Sequence, residues 1–238
     1  DLKKLYNNIL VNDVVKYVHF QNEPVKGEDM KKKKKKKKSF YNQLTVILFI
    51  GSKNINIKVF KNGKIQLTGL KTESQGREAC HYIANLVKNN DEIYNYKTVL
   101  INSDFNIGFQ INREKLFEIL YKEYKMFVTF EPCIYPGVNA KYYWNRKNES
   151  EDGNCKCVSN CNGKGNGQTD GDCKRITMAC FQSGTIIITG ANTKSQLYDV
   201  YHFIYDLYMK NKSKIIKTTN MLQKKEEIPK KKYIIKKV

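Results

Sequence analysis

Four cysteines crowd nineteen residues of this chain as Cys155-x-Cys157-x3-Cys161-x11-Cys173, among glycines, asparagines and lysines. Four thiolates suit tetrahedral zinc, and a Gly-rich loop can wrap one ion without a core of its own. The spacing departs from the paired C-x2-C of common zinc ribbons, and reduced free thiols or two disulfides are the alternatives. Cys80, Cys133 and Cys180 sit in apolar surroundings. Seven cysteines make an odd number, and their placement is not a secreted disulfide framework, so a reducing, intracellular setting is expected. Nothing else points to catalysis. The stretch Gly163-Lys-Gly-Asn-Gly167 lacks the strand and helix that a phosphate loop needs, and no carboxylate pair recurs at a plausible site. His81 and His202 occupy equivalent positions of a repeat, which favours packing or capping. The chain reads as a non-enzyme that requires no cofactor, with the Cys cluster as candidate structural zinc site.

The element that must position these groups is duplicated. Val59 to Val87 recurs at Cys180 to Tyr208, an offset of 121 residues without a gap. Phe60 pairs with Phe181, Gly63 with Gly184, Thr68 with Thr189, Gly69 with Gly190, and Gln75 with Gln196. Two copies mean a pseudo-symmetric pair rather than a solenoid. In the first copy Ile55, Ile57, Val59, Ile65 and Leu67 alternate with polar residues around the turn Lys61-Asn-Gly-Lys64, a hairpin signature. A helix capped by Thr72 follows, with Ala79, Tyr82, Ile83 and Leu86 on one stripe to cover that inner set. In the second copy Ile176, Met178, Cys180, Ile186 and Ile188 face a helix that starts from Thr193. Short helices from Asp1 and Asn112 open the units, and further strands are expected over 39–50, 99–111 and 133–144. The expected organisation is a first repeat over 1–95 without a counterpart of the 99–111 strand, a second over 96–211, and a loose basic tail over 212–238. Insertions fall at 21–38 and 146–174. Beginning without Met and at a helix, the chain is expected to be a fragment at its N-terminus.

A hydrophobic fraction of 40% with 12% aromatics supports a real core. The net charge is +20, and without the eight lysines from Lys31 to Lys38 it is still +12. That points to a polyanion, nucleic acid ahead of a membrane surface. AT-rich coding bias is the bland alternative. Adjacent like charges cannot pack, so the lysine run is expected to project as a flexible arm that strengthens binding without choosing sequence. No apolar stretch approaches the ~20 residues of a spanning helix, so no membrane partner is expected.

Alternation leaves one face of the sheet without helices. It carries Lys58, Phe60, Gln66 and Thr68 in one unit, and Ala179, Phe181, Ile187 and Thr189 in the other. Such a face with large aromatics marks an interaction surface. If the two units pair side by side, the result is one continuous sheet whose open face suits the minor groove of DNA.

The pattern Phe-x-x-Gly-x-Ile-x-x-Thr-Gly, present from Phe60 and from Phe181, resembles the TATA-box-binding protein family. So does Phe130-Glu-Pro-Cys-Ile-Tyr-Pro-Gly-Val138. The resemblance covers most of residues 1–211 apart from the insertions, which look like those of versions carried by large nucleocytoplasmic DNA viruses. It implies an α+β fold in which two pseudo-symmetric repeats form a saddle, a curved antiparallel sheet with helices on its convex face. It implies that Phe60, Phe181 and Tyr135 take kinking positions, with a fourth near Gln43, Phe40 and Tyr41. Thr68 and Thr189 match threonines near base edges, and Asn102 a groove-reading asparagine. Lys58 stands where the family has an apolar residue. The implied function is a transcription initiation factor that binds and bends AT-rich promoter DNA through the minor groove. Its implied partners are double-stranded DNA, a general transcription factor of the TFIIB type and RNA polymerase, in a nucleus, a cytoplasmic viral factory or a virion. The rivals are a sequence-nonspecific DNA-compacting protein and a saddle-like accessory domain of a nucleic-acid enzyme.

Overall fold

The computed structural model describes residues 1–28, 41–87, 95–147 and 152–217. The lysine run, Phe40 and the tail beyond residue 217 lie outside them. The chain divides into two compact units, Asp1–Lys97 and the remainder from Thr98.

The first unit runs α1 (Leu2–Asn8), β1 (Val15–Phe20), β2 (Lys26–Gly27), β3 (Gln43–Ile50), β4 (Lys53–Phe60), β5 (Ile65–Thr68) and α2 (Glu73–Val87). The second runs β6 (Ile101–Asn106), α3 (Arg113–Glu118), β7 (Phe127–Thr129), β8 (Val138–Trp144), β9 (Lys174–Cys180), β10 (Thr185–Ala191), α4 (Lys194–Lys210) and α5 (Lys212–Ile215). A single π turn, Ile119–Glu123, extends α3. All strand pairs are antiparallel, in the orders β2-β1-β3-β4-β5 and β6-β10-β9-β8-β7. The α+β class, the two repeats and the helix-covered antiparallel sheets are as expected. The described strands form one five-stranded antiparallel sheet in each unit.

Period-two alternation decides which side chains meet the helices. Ile55 and Ile57 are fully buried with Leu44, Val46 and Leu48 across the ladder, and Ala79 and Ile83 of α2 close the cluster. In the second unit Ile176, Met178, Cys180, Ile186 and Ile188 pack with Val200, Ile204 and Leu207 of α4. Each such aliphatic side chain, fully buried, contributes about 1.5–3 kcal/mol. Ile65 and Leu67 are only half-buried, whereas Ile186 and Ile188 are buried. The cause is position in the sheet: β10 lies between β9 and β6, while β5 is an edge strand.

The caps behave as the residues require. Asp1 accepts from Lys3 and Lys4 N–H, and Asn112 from Lys115 N–H. The paired glutamines act alike in the two units. Gln75 Oε1 accepts from Lys71 N–H at 3.0 Å, and Gln196 Oε1 from Asn192 N–H at 2.8 Å. Each thereby ties the chain entering its helix to the first turn. Thr193 and Gln196 complete a reciprocal capping box.

Four expectations need correction. Strand 133–144 begins only at Val138, because residues 131–135 form a turn in which Tyr135 N–H donates to Glu131 O at 2.8 Å. The strand expected over 99–111 is the shorter β6. The tail is not loose from residue 212: Ile215 is fully buried, and Asn112 N–H donates to Ile215 O at 2.7 Å. The insertion from Gln21 starts in order, since β2 pairs with β1 and Lys26 Nζ donates to Tyr6 O and Ile9 O at the end of α1. That cation neutralises the partial negative charge of a helix C-terminus.

The two hairpins repeat bond for bond. Phe60 N–H donates to Lys64 O and Gly63 N–H to Phe60 O; Phe181 N–H donates to Thr185 O and Gly184 N–H to Phe181 O. Gly63 and Gly184 have φ of 82° and 84°. Their surroundings differ. A Cβ on Gly63 would meet nothing within 4 Å, but one on Gly184 would lie 2.2 Å from Phe109 O, where the chain from β6 to α3 crosses the turn. Gly63→Ala should therefore cost about 1–2 kcal/mol for the left-handed backbone alone, and Gly184→Ala clearly more. Denaturant unfolding of the two variants checks this; equal losses would mean that the crossing chain does not constrain the turn.

Candidate nucleic-acid interface

The pleat presents on the helix-free face of each sheet the residues that alternate with the core set. In the first unit, cross-strand rows on this face are Thr45–Lys58–Gln66 and Ile47–Asn56–Thr68, with Gln43 opposite Phe60. Gln66 and Thr68 are exposed, and Lys58 and Phe60 half-buried. In the second unit the rows are Asn139–Ala179–Ile187–Asp104 and Lys141–Thr177–Thr189–Asn102. Phe181, Ile187 and Thr189 are half-buried and Asn102 is exposed. Ala179 is only 5% exposed. Its short side chain lies below the level of the flanking Asn139 and Ile187, so it contributes to the floor of this face rather than to its relief.

Phe60 and Phe181 both follow buried residues, Val59 and Cys180, and so lie on the open face of their sheets. Phe181 meets Tyr135 edge to face, with ring centroids 5.7 Å apart. The turn before β8 delivers Tyr135 to this spot, and the Arg113 guanidinium donates to Pro136 O at its end. Gly137 is what lets the two rings close together: a Cβ there would lie 2.8 Å from Tyr135 Cε1 and 3.3 Å from Phe181 Cε1.

Register locates the equivalent in the first unit. Leu44 stands opposite Val59 as Val138 stands opposite Cys180. Gln43 is thus the counterpart of Gly137, and Tyr41 the counterpart of Tyr135. Gln43 is buried, and its Nε2 donates to Thr45 Oγ1 at 2.9 Å. Tyr41 is 80% exposed. The aromatic position lies at Tyr41 rather than Gln43, and aligning Tyr41-Asn-Gln-Leu44 with Tyr135-Pro-Gly-Val138 carries that signal in the sequence.

Polar groups on the second unit's open face are pre-positioned. Thr189 Oγ1 donates to Asn102 Oδ1 at 2.5 Å, which leaves the Asn102 amide N–H groups as donors. Lys141 Nζ donates to Thr177 Oγ1 at 2.8 Å. Burial, and then the Arg175 guanidinium, holds the Lys141 ammonium below the ordinary lysine range. Arg175 is itself exposed on the same face, opposite Tyr143. Asp104, at the outer row, is the acidic exception.

The Cys cluster is a real spatial group. One sulfur from each of Cys155, Cys157, Cys161 and Cys173 lies within 4.8 Å of all the others. None is in a disulfide. Cys180 belongs to the core, where burial pushes its thiol up to about 12. His81 and His202 are exposed on the outer faces of their helices and pack into neither core. No helix among the described residues is long and apolar enough to cross a membrane.

Comparison with known proteins agrees with this geometry. Residues 10–90 match the family model described as transcription factor TFIID, or TATA-binding protein. The TATA-box-binding protein-like protein of Acanthamoeba polyphaga mimivirus is 29% identical over 88% of this chain and 60% of its own length. The TATA-box-binding protein of Dictyostelium discoideum is 23% identical over 67% of this chain and 63% of its own length. The chain thus spans less than two thirds of these relatives. Among solved structures, a Methanococcus jannaschii TBP superposes with a TM-score of 0.54 at 17% identity, over 88% of this chain and 89% of that one. The resemblance to the TATA-box-binding proteins holds in sequence and in fold.

Proposed function

We propose that this chain, similar to the TATA-box-binding proteins, is a transcription initiation factor that binds double-stranded DNA through the minor groove and bends it at AT-rich promoter sites. The observation that carries the reading is the aromatic pair on the open face: Tyr135 and Phe181 in ring contact over Gly137, with Tyr41 and Phe60 at equivalent places. Aromatic side chains free of a helix layer, beside threonine and asparagine donors, are what wedging into base steps requires. Unstacking a step costs a few kcal/mol, which a bent duplex offsets by wrapping more protein surface. The minor groove offers mainly acceptors at A·T pairs, and the free Asn102 amide donors suit them. Arg175 and the surplus of +20 supply phosphate neutralisation.

On this reading Thr68 and Thr189 lie toward base edges, and Gln66, Ala179 and Ile187 line the groove wall. Lys58 stands where the second unit has Ala179, so the second unit packs more closely on DNA and the first more through charge. The exposed sides of α2 and α4 remain open to a general transcription factor of the TFIIB type and to RNA polymerase. The similarity to a mimivirus protein supports a viral setting, a nucleus, a viral factory or a virion.

The test is a titration of AT-rich and GC-rich duplexes with end-to-end distance read by energy transfer. Phe181→Ala should weaken AT-rich binding on the order of tenfold and reduce the bend, and Tyr41→Ala should reduce the bend in the same direction. A Phe181→Ala protein that binds and bends like the parent would contradict the wedge assignment. Arg175→Ala should weaken both duplexes equally and lower the salt slope by about 1. Equal affinity of the parent for both duplexes, with a steep salt slope, would instead identify a sequence-nonspecific compacting protein.

A further inference from the structure

We propose that the loop between β8 and β9 is a structural zinc site whose four ligands are Cys155, Cys157, Cys161 and Cys173. This does not rest on the DNA-binding reading. Zinc–thiolate bonds of about 2.3 Å in a tetrahedron place sulfurs about 3.8 Å apart. The observed separations bracket that value: 3.3 Å for Cys157–Cys173, 3.7 Å for Cys155–Cys173, and no more than 4.8 Å for any pair. Two disulfides would instead divide the set into two pairs, each near ~2.0 Å. Four sulfurs mutually close without such a division describe a single shared centre.

A polar side chain is aimed at two of the sulfurs. Asn145, itself nearly buried, directs Nδ2 to Cys173 Sγ at 3.7 Å and Cys157 Sγ at 4.0 Å while donating to Thr169 O at 2.8 Å. It orients the ligands from outside, as second-layer groups in metal sites do.

The loop also needs such a centre. Apart from its cysteines, the only apolar residue between Asp152 and Asp172 is Val158, which is 98% exposed. Hydrophobic burial therefore cannot offset the entropy of ordering this stretch. Its order comes from carboxylate caps, Asp170 on Val158 and Ser159 N–H and Asp172 on Asn166 and Gln168 N–H, arranged around the thiols. Cys173 directly precedes β9 and Asn145 directly follows β8, so the metal joins the insertion to two neighbouring strands of the sheet. A closed set of four soft ligands leaves no position for substrate, which makes the role structural and favours zinc over hard cations.

The full chain, purified under reducing and anaerobic conditions, should contain one zinc by elemental analysis. Replacing it with cobalt(II) should give the tetrahedral thiolate spectrum. The Cys155→Ser/Cys161→Ser protein should lose the metal and expose Cys173 to a thiol reagent while the sheet's circular dichroism persists. A parent chain that takes up neither added zinc nor cobalt would overturn the proposal whatever the variant does. So would intact mass showing two disulfides in the same preparation, or a variant that keeps full zinc.

Discussion

Each sheet has helices packed on one side only, and the rest of the molecule depends on that one-sidedness. Because strand side chains alternate, the choice of Ile55, Ile57 and Val59 for the core commits Lys58 and Phe60 to the other face, and the same holds for Met178, Cys180 and Phe181. A slip of one residue would exchange the two sets and put lysine against α2. The turns guard against it. The bonds between Phe60 and Lys64, and between Phe181 and Thr185, fix the hairpin register locally, without help from the helices. The positions of Phe60 and Phe181 are thus products of turn chemistry as much as of the side chains themselves.

Much of this was legible because it is local. The 121-residue offset, the alternation around Gly63 and Gly184, and the caps Asp1, Asn112 and Thr193 all act within a few residues. What escaped was non-local. The kinking position near Gln43, Phe40 and Tyr41 narrows to Tyr41 only when β3 is set against β4 and Leu44 is seen opposite Val59. Ile215 reads as part of a basic tail, yet one buried side chain holds it to the Asn112 cap.

The thiol cluster shows a different limit. Its density was plain, but the eleven residues before Cys173 made the spacing look irregular. In the fold that distance is immaterial. The loop leaves one strand and returns on its hydrogen-bonded neighbour, and adjacent strands lie about 4.8 Å apart whatever the length of the connection. Asn145 and Cys173 face each other for that reason. Cys161 reaches Cys173 because the chain just after it pairs back onto β9, Arg175 N–H donating to Gly163 O at 2.9 Å and Gly165 N–H to Cys173 O at 3.0 Å.

The two core clusters draw their residues from separate units, one up to Ile83 and the other from Ile111 onward. A large-to-small substitution in either cluster removes contacts from that cluster's own members. The insertions fall at different connections, one between β2 and β3 and one between β8 and β9, so both leave the β4–β5 and β9–β10 hairpins intact.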